Sequence, residues 1–140
     1  MTDERMAHSV SVARLAYTIA KEKYGKSEDF ARKMWVTGYC HDMGYEFAED
    51  PKDHPLVSDE GIFLAFGGDS KAIRLHGQPV PQDFDELRIL NEADLRVDGK
   101  GKVVSVEERL FDSAQRHGAT SEPYRNSLWV AQELGLVPKE

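Results

Sequence analysis

Residues 39–44 read YCHDMG, and this stretch organises the interpretation of the whole chain. It closes a segment with helical apolar spacing, so His41 and Asp42 are predicted at the C-terminal end of a helix that stops at Gly44. Neighbouring side chains on a helix diverge by about 100°, yet both can reach one metal ion beside the last turn. A His-Asp pair also occurs by chance, so its weight depends on the other histidines and on one distant aspartate.

The composition predicts a single soluble domain over residues 1–140, with 40% hydrophobic and 31% charged residues. No stretch has the apolar length of a membrane span, and the polar, acidic N-terminus does not resemble a secretory signal. A single cysteine, Cys40, excludes an internal disulfide and fits a reducing compartment, so we expect a cytoplasmic protein.

The formal net charge of −7 argues against a nucleic-acid polymer as a partner, because such binding depends on lysine and arginine neutralising phosphates. A small phosphate ester stays compatible, since a bound cation can reverse the local field. We expect no membrane partner, and the sequence leaves the oligomeric state open.

Apolar periodicity and capping residues predict an all-α bundle of six or seven helices. The first is expected to run from a cap at Thr2 to about Tyr24. The others are expected to begin near Ser27, Pro55, Lys71, the capping box at Asp83 to Glu86, Ser105 and Ser121.

Several polar side chains fall on the apolar faces of these predicted helices. His8 lies on the buried stripe of the first helix, and His76 points with the apolar side of the short fourth. His8 could be a satisfied core histidine instead of a ligand. Asp94 is costly to bury unless it binds a cation or forms an ion pair, for which Arg88 and Arg109 are the alternatives.

Nitrogen and carboxylate donors together suit a divalent transition metal such as Fe, Mn, Co, Ni or Zn. With one cysteine, a structural zinc site of the cysteine type is excluded. The complete set of predicted donors is His8, His41, Asp42, His54, His76 and Asp94. For His54, a role as a helix cap or loop residue is an equal alternative.

The sequence resembles the HD-domain superfamily of metal-dependent phosphohydrolases over about residues 5 to 96. The resemblance lies in the segments RMAHS (5–9), GYCHDMG (38–44) and EADL (92–95). Two further histidines between the His-Asp pair and the last aspartate are similar to the pattern of members that hold two metals. The small bacterial dinucleoside-tetraphosphate hydrolases of this superfamily have a similar histidine order and size.

The resemblance implies that Asp42 is catalytic and that the chain binds one or two metals. His8, His41, Asp42 and Asp94 would hold the first ion, and His54 and His76 would complete a second that Asp42 bridges. The implied activity is hydrolysis of a small phosphorylated metabolite, with a nucleotide as the leading candidate. In that reaction a metal-bound hydroxide attacks phosphorus.

Two arginines are the predicted substrate-binding residues. Arg5 lies one turn before His8 on the same face, and arginine there is also familiar in the family, so we expect it to bind a phosphate. Arg96, together with Lys100 and Lys102, could line the mouth of the site. The alternatives are an ion pair for Arg5 and a solvated charge run for the other three.

Two other functions stay open on the sequence. Mixed-valent diiron oxygenases of the same fold use a very similar ligand set to cleave C–C or C–P bonds. A non-catalytic ligand-binding module could also keep all six donors. Turnover that requires iron and oxygen would favour the oxygenase, whereas phosphate release with Mn or Co under argon would favour the hydrolase.

Overall fold

The computed structural model describes residues 2–43, 71–78 and 84–139. Six α-helices form within these ranges, and their only β pairing is an isolated antiparallel bridge between Val97 and Val103. The helices are α1 (Asp3–Glu22), α2 (Glu28–Cys40), α3 (Lys71–Leu75), α4 (Asp85–Leu95), α5 (Val106–His117) and α6 (Glu122–Glu133). The predicted all-α fold is therefore confirmed, and the helix expected from Pro55 lies outside the described residues.

Four of the predicted N-caps are confirmed, each accepting a hydrogen bond from the backbone N–H three residues further on. They are Thr2, Ser27, Ser105 and Ser121. Such a cap satisfies one of the four N–H groups that a helix start leaves without a partner. The expected capping box before α4 is wrong in detail, because Phe84 occupies the N-cap position and offers no side-chain hydrogen bond.

Small residues let α1 and α2 approach each other closely. Ala13 and Ala16 of α1 are fully buried. A Cβ added at Gly38 of α2 would lie only 2.9 Å from the Cα of Ala13, so no side chain fits there. This close approach brings the C-terminal end of α2, with His41, beside His8 on α1.

Helix α4 is buried around most of its circumference, not only on the single apolar face that the sequence predicts. It contacts each of the other five described helices. The carboxylate of Glu92 is buried and lies 2.6 Å from the Lys23 ammonium, just beyond the end of α1. Because a buried carboxylate requires a partner, this ion pair holds α4 against α1. Asp94 is thereby placed where α1 and α2 meet.

The apolar side chains form two clusters among the described residues. The larger lies between α1, α2, α3 and α4, and the smaller joins the end of α4 to α5 and α6. None of the described helices is both long enough and apolar enough to span a membrane. The helices that enclose the larger cluster are also those that carry the predicted metal ligands.

Candidate metal centre

Four of the predicted donors converge where α1, the end of α2 and α4 meet. One ligand atom from each of His8, His41, Asp42 and Asp94 lies within 4.8 Å of the others. His8, His41 and Asp42 are buried, and Asp94 is partly buried. Donors that the sequence spreads over the chain are therefore gathered into one cluster.

The carboxylate of Asp94 joins two histidines of this cluster. Its Oδ1 atom lies 2.9 Å from Nε2 of His8 and 3.3 Å from Nε2 of His41. The second carboxylate, that of Asp42, places Oδ2 at 3.1 Å from Nε2 of His41 and 3.5 Å from Nε2 of His8. Both carboxylates thus face the same pair of ring nitrogens.

His76 approaches Asp42 from the other side. Its Nε2 atom lies 3.4 Å from Oδ1 of Asp42, whereas Oδ2 of the same carboxylate faces His8 and His41. Each oxygen of the Asp42 carboxylate therefore faces at least one ring nitrogen. His54, the other predicted ligand of a second ion, lies outside the described residues.

A backbone carbonyl orients the ring of each of these three histidines. A carbonyl oxygen only accepts, so Nδ1 of each ring carries a hydrogen, and Nε2 is the nitrogen that would offer its lone pair to a metal. Metal-binding histidines in proteins are commonly oriented in this way. Nδ1 of His8 donates to the carbonyl of Asp98 (2.9 Å), Nδ1 of His41 to that of Gly38 (2.6 Å), and Nδ1 of His76 to that of Ile73.

The two carboxylates shift the pKa values within the cluster. Burial alone would lower the pKa of His41, but the charges of Asp42 and Asp94 outweigh burial and raise that pKa well above its usual range. Burial would also raise the pKa of Asp94, yet His41 and His8 hold it well below its usual range. A divalent cation would meet the same two anionic carboxylates and replace the proton on Nε2.

This donor chemistry fits a divalent transition metal, with three imidazoles and two carboxylates directed at one another. Within the described residues Asp94 pairs with His8 and His41, and not with Arg88 or Arg109 as the alternative would require. Cys40 lies in the apolar core, and burial raises the pKa of its thiol, which disfavours the thiolate that a metal requires.

A family model described as HD domain matches residues 5–96, the segment that carries the cluster. The chain belongs to the HD-domain family. Members of this family bind divalent metals and are generally metal-dependent hydrolases. No curated protein and no solved structure matches the chain, so its likeness to dinucleoside-tetraphosphate hydrolases stays a prediction.

Two residues that support the cluster of this HD domain were missed by the sequence analysis. The side chain of Asn91 accepts a hydrogen bond from the Gly77 N–H at 3.0 Å and so stabilises the turn that follows His76. A signal for it exists, because Asn91 lies three residues before Asp94 on the same helical face. Asp98 contributes its backbone carbonyl, and that group carries no signal in a sequence.

The two predicted substrate-binding arginines of the HD domain lie near the cluster in sequence. Arg5 is half-buried one turn before His8 on α1. Arg96 directly follows α4, with its guanidinium 3.6 Å from the buried carboxylate of Glu92. These positions do not test phosphate binding, so both assignments stay predictions.

Proposed function

We propose that this HD-domain protein is a phosphohydrolase of a small phosphorylated metabolite, with a nucleotide as the leading substrate class. The observation that carries the proposal is the orientation of three histidine rings, whose Nε2 atoms face two carboxylates while their Nδ1–H groups are held by backbone carbonyls. A ring held in this way binds a metal without first rotating, which supports a metal-dependent reaction.

His8, His41, Asp42 and Asp94 would hold one divalent ion, which would be Fe, Mn, Co, Ni or Zn. The position of His76 at the other oxygen of Asp42 supports a second ion, which His54 would complete. When bound, such ions supply Lewis acidity at a phosphoryl oxygen and lower the pKa of a water molecule.

The chain itself would contribute orientation and charge. Asp42 has the catalytic role in this proposal, because its two oxygens face different histidines and so hold both halves of the site together. Arg5 would bind a phosphoryl oxygen of the substrate, since a guanidinium offers planar, charged donors that match phosphate. The contact of Arg96 with Glu92 involves one guanidinium nitrogen, which leaves other donors for a substrate.

The proposal is tested by metal analysis together with an assay of phosphate release from nucleotides and phosphate monoesters, with Mn or Co under argon. We expect Asp42→Ala to abolish phosphate release and most metal uptake, with the helix content by circular dichroism unchanged. Asp42→Asn keeps the side-chain size and serves as a second variant if the first does not fold. His117→Ala is the matched control, because it removes an exposed histidine outside the cluster.

Three results would contradict the proposal. Full activity in both Asp42 variants would remove the site assignment. Turnover that requires iron and oxygen and cleaves a C–C or C–P bond would identify a diiron oxygenase. Metal uptake without turnover of any phosphorylated compound would identify a ligand-binding module.

A further inference from the structure

A cleft of about 290 Å³ lies between the loop that follows α4 and the face of α5. Four cationic side chains line it, although the chain as a whole carries a net charge of −7. They are Lys100, Lys102, Arg109 and Arg116. Counted with the carboxylates of the same lining, they leave the cleft with an excess of one positive charge in an otherwise acidic chain.

Three carboxylates also line the cleft, and each is engaged in local structure. Asp98 Oδ1 accepts hydrogen bonds from the backbone N–H groups of Lys100 and Lys102, both at 2.9 Å. Glu108 Oε1 accepts a hydrogen bond from the Ser105 hydroxyl at 3.3 Å, and Asp112 Oδ2 lies 3.2 Å from Nε of Arg116 one turn further along α5. The carboxylates are thus held by backbone or by one partner.

Three of the four cations, by contrast, have no ion pair within 4.0 Å among the residues that the structure describes: Lys100, Lys102 and Arg109. Burial would raise the pKa of Asp98, but the backbone N–H groups of Lys102 and Lys100 lower it, and the charges of Lys102 and Arg109 lower it further. The cleft therefore offers more cationic than anionic capacity.

The loop that carries the two lysines is held in place against α1. Gly101 has a φ of +88°, and a Cβ there would lie 2.7 Å from the backbone of Ala7, so the loop and α1 are in direct contact. The hydroxyl of Ser11 donates a hydrogen bond to the carbonyl of Gly101. Since the loop is fixed before any ligand arrives, less conformational entropy is lost when its side chains bind one.

We propose that this cleft is a binding site for a small polyanion of the phosphate class, such as pyrophosphate or the phosphate chain of a nucleotide. Lysine and arginine side chains are the usual protein ligands of phosphate oxygens. The backbone N–H groups of Lys100 and Lys102 are already used by Asp98, so the side chains make the contacts. Pockets for drug-sized ligands commonly measure about 300–1,000 Å³, and the cleft, at about 290 Å³, lies just below that range, which suits a compact anion.

The anion has two possible sources, and both share this chemistry. Asp98 lines the cleft and also holds His8 through its carbonyl, so the distal phosphate of a substrate in the metal centre could extend into the cleft. That source rests on the proposed function. A separate phosphate-containing metabolite needs no catalytic activity in the protein.

The site is tested by titrating the metal-loaded protein with pyrophosphate, using calorimetry and amide chemical shifts. We expect Lys102→Ala/Arg109→Ala to weaken binding about tenfold or more, with shifts in the wild type at residues 98–104 and in α5. Lys33→Ala/Arg125→Ala is the matched control, because it removes the same two positive charges from exposed positions outside the cleft. Lys102→Ala alone, at an exposed position, covers the case in which the double variant does not fold.

Equal weakening in the control pair would overturn the site, because general electrostatics would then explain the affinity. Unchanged affinity in the cleft variants would overturn it as well. If the site exists, Asp94→Asn separates the two sources. Undiminished pyrophosphate binding in the cleft of that variant identifies a free anion, and weakened binding there identifies the distal part of a substrate.

Discussion

His8 and Asp98 are ninety positions apart in the sequence and are joined by a hydrogen bond of 2.9 Å from the ring Nδ1 to the backbone carbonyl. The side chain of Asp98 also accepts hydrogen bonds from the backbone N–H groups of Lys100 and Lys102, which stabilise the loop that carries all three residues. The orientation of one predicted metal ligand therefore depends on the conformation of the loop from 98 to 102.

This dependence predicts that Gly101→Ala weakens metal binding although residue 101 offers no ligand. The new Cβ would lie 2.7 Å from the backbone of Ala7 at a φ of +88°, so the loop must move away from α1. Asp98 would move with it and release His8. Loss of such an orienting partner typically lowers metal affinity by about 10- to 100-fold, which competition with a chelator would measure.

Gly118→Ala is the control for this substitution. Gly118 has a similar φ of +93°, but a Cβ there would meet nothing within 4 Å. Both variants therefore introduce comparable backbone strain, and only Gly101→Ala disturbs the loop beside His8. Equal metal affinity in the two variants would show that the contact between Asp98 and His8 does not support the metal centre.

Helix starts could be predicted from the sequence because a cap acts over three residues. Ser27 and Ser105 accept hydrogen bonds from Phe30 and Glu108, as their local patterns indicate. Phe84 occupies a cap position without any such bond, and no local pattern predicts that. Local chemistry thus determines most helix boundaries, whereas the exception depends on packing.

The ligand types could also be predicted, because a polar donor on an apolar face is costly without a partner. The partner of Asp94 could not be predicted from the sequence. The same helical face is compatible with an ion pair to an arginine and with a contact to His8. The burial of Glu92 against Lys23 was missed for a similar reason. Contacts between distant segments depend on which helix lies at the centre of the bundle. The central position of α4 results from the packing of all the helices, which no local pattern predicts.

A second prediction concerns stability at acidic pH. Glu28 accepts hydrogen bonds from the Lys21 ammonium at 2.6 Å and the Tyr17 hydroxyl at 2.7 Å, and these contacts lower its pKa from 4.5 to about 2. A lowered pKa in the folded state stabilises the protein at a pH above the unfolded value, and this contribution is lost as the pH falls through the folded value. We therefore expect Glu28→Gln to lower the Tm near neutral pH.

The difference in Tm between wild type and Glu28→Gln should narrow below about pH 4.5 and disappear near about pH 2. Thermal melts across this range would measure it. Glu22→Gln is the control, because Glu22 is exposed at the end of α1 with no ion pair among the described residues. A difference in Tm for Glu28→Gln that stays constant with pH would contradict the role of the carboxylate charge.

A third prediction separates substrate binding from metal binding at Arg5. Replacing Arg5 with alanine should raise KM for phosphorylated substrates about tenfold, because a charged hydrogen bond to phosphate is lost. Metal content should not change. Arg14→Ala removes an exposed arginine from the same helix and should leave KM unchanged. An unchanged KM in the Arg5 variant would mean that this side chain has a structural role.

The last prediction concerns how many ions the centre holds. Because Nε2 of His76 faces Oδ1 of Asp42 while His8 and His41 face Oδ2, His76→Ala should remove one ion and leave the other. Elemental analysis should then fall from two ions per chain towards one, and His54→Ala should do the same. His117→Ala should change nothing. A wild-type content of one ion would remove the binuclear hypothesis, yet it would leave His8, His41, Asp42 and Asp94 as the ligands of a single metal.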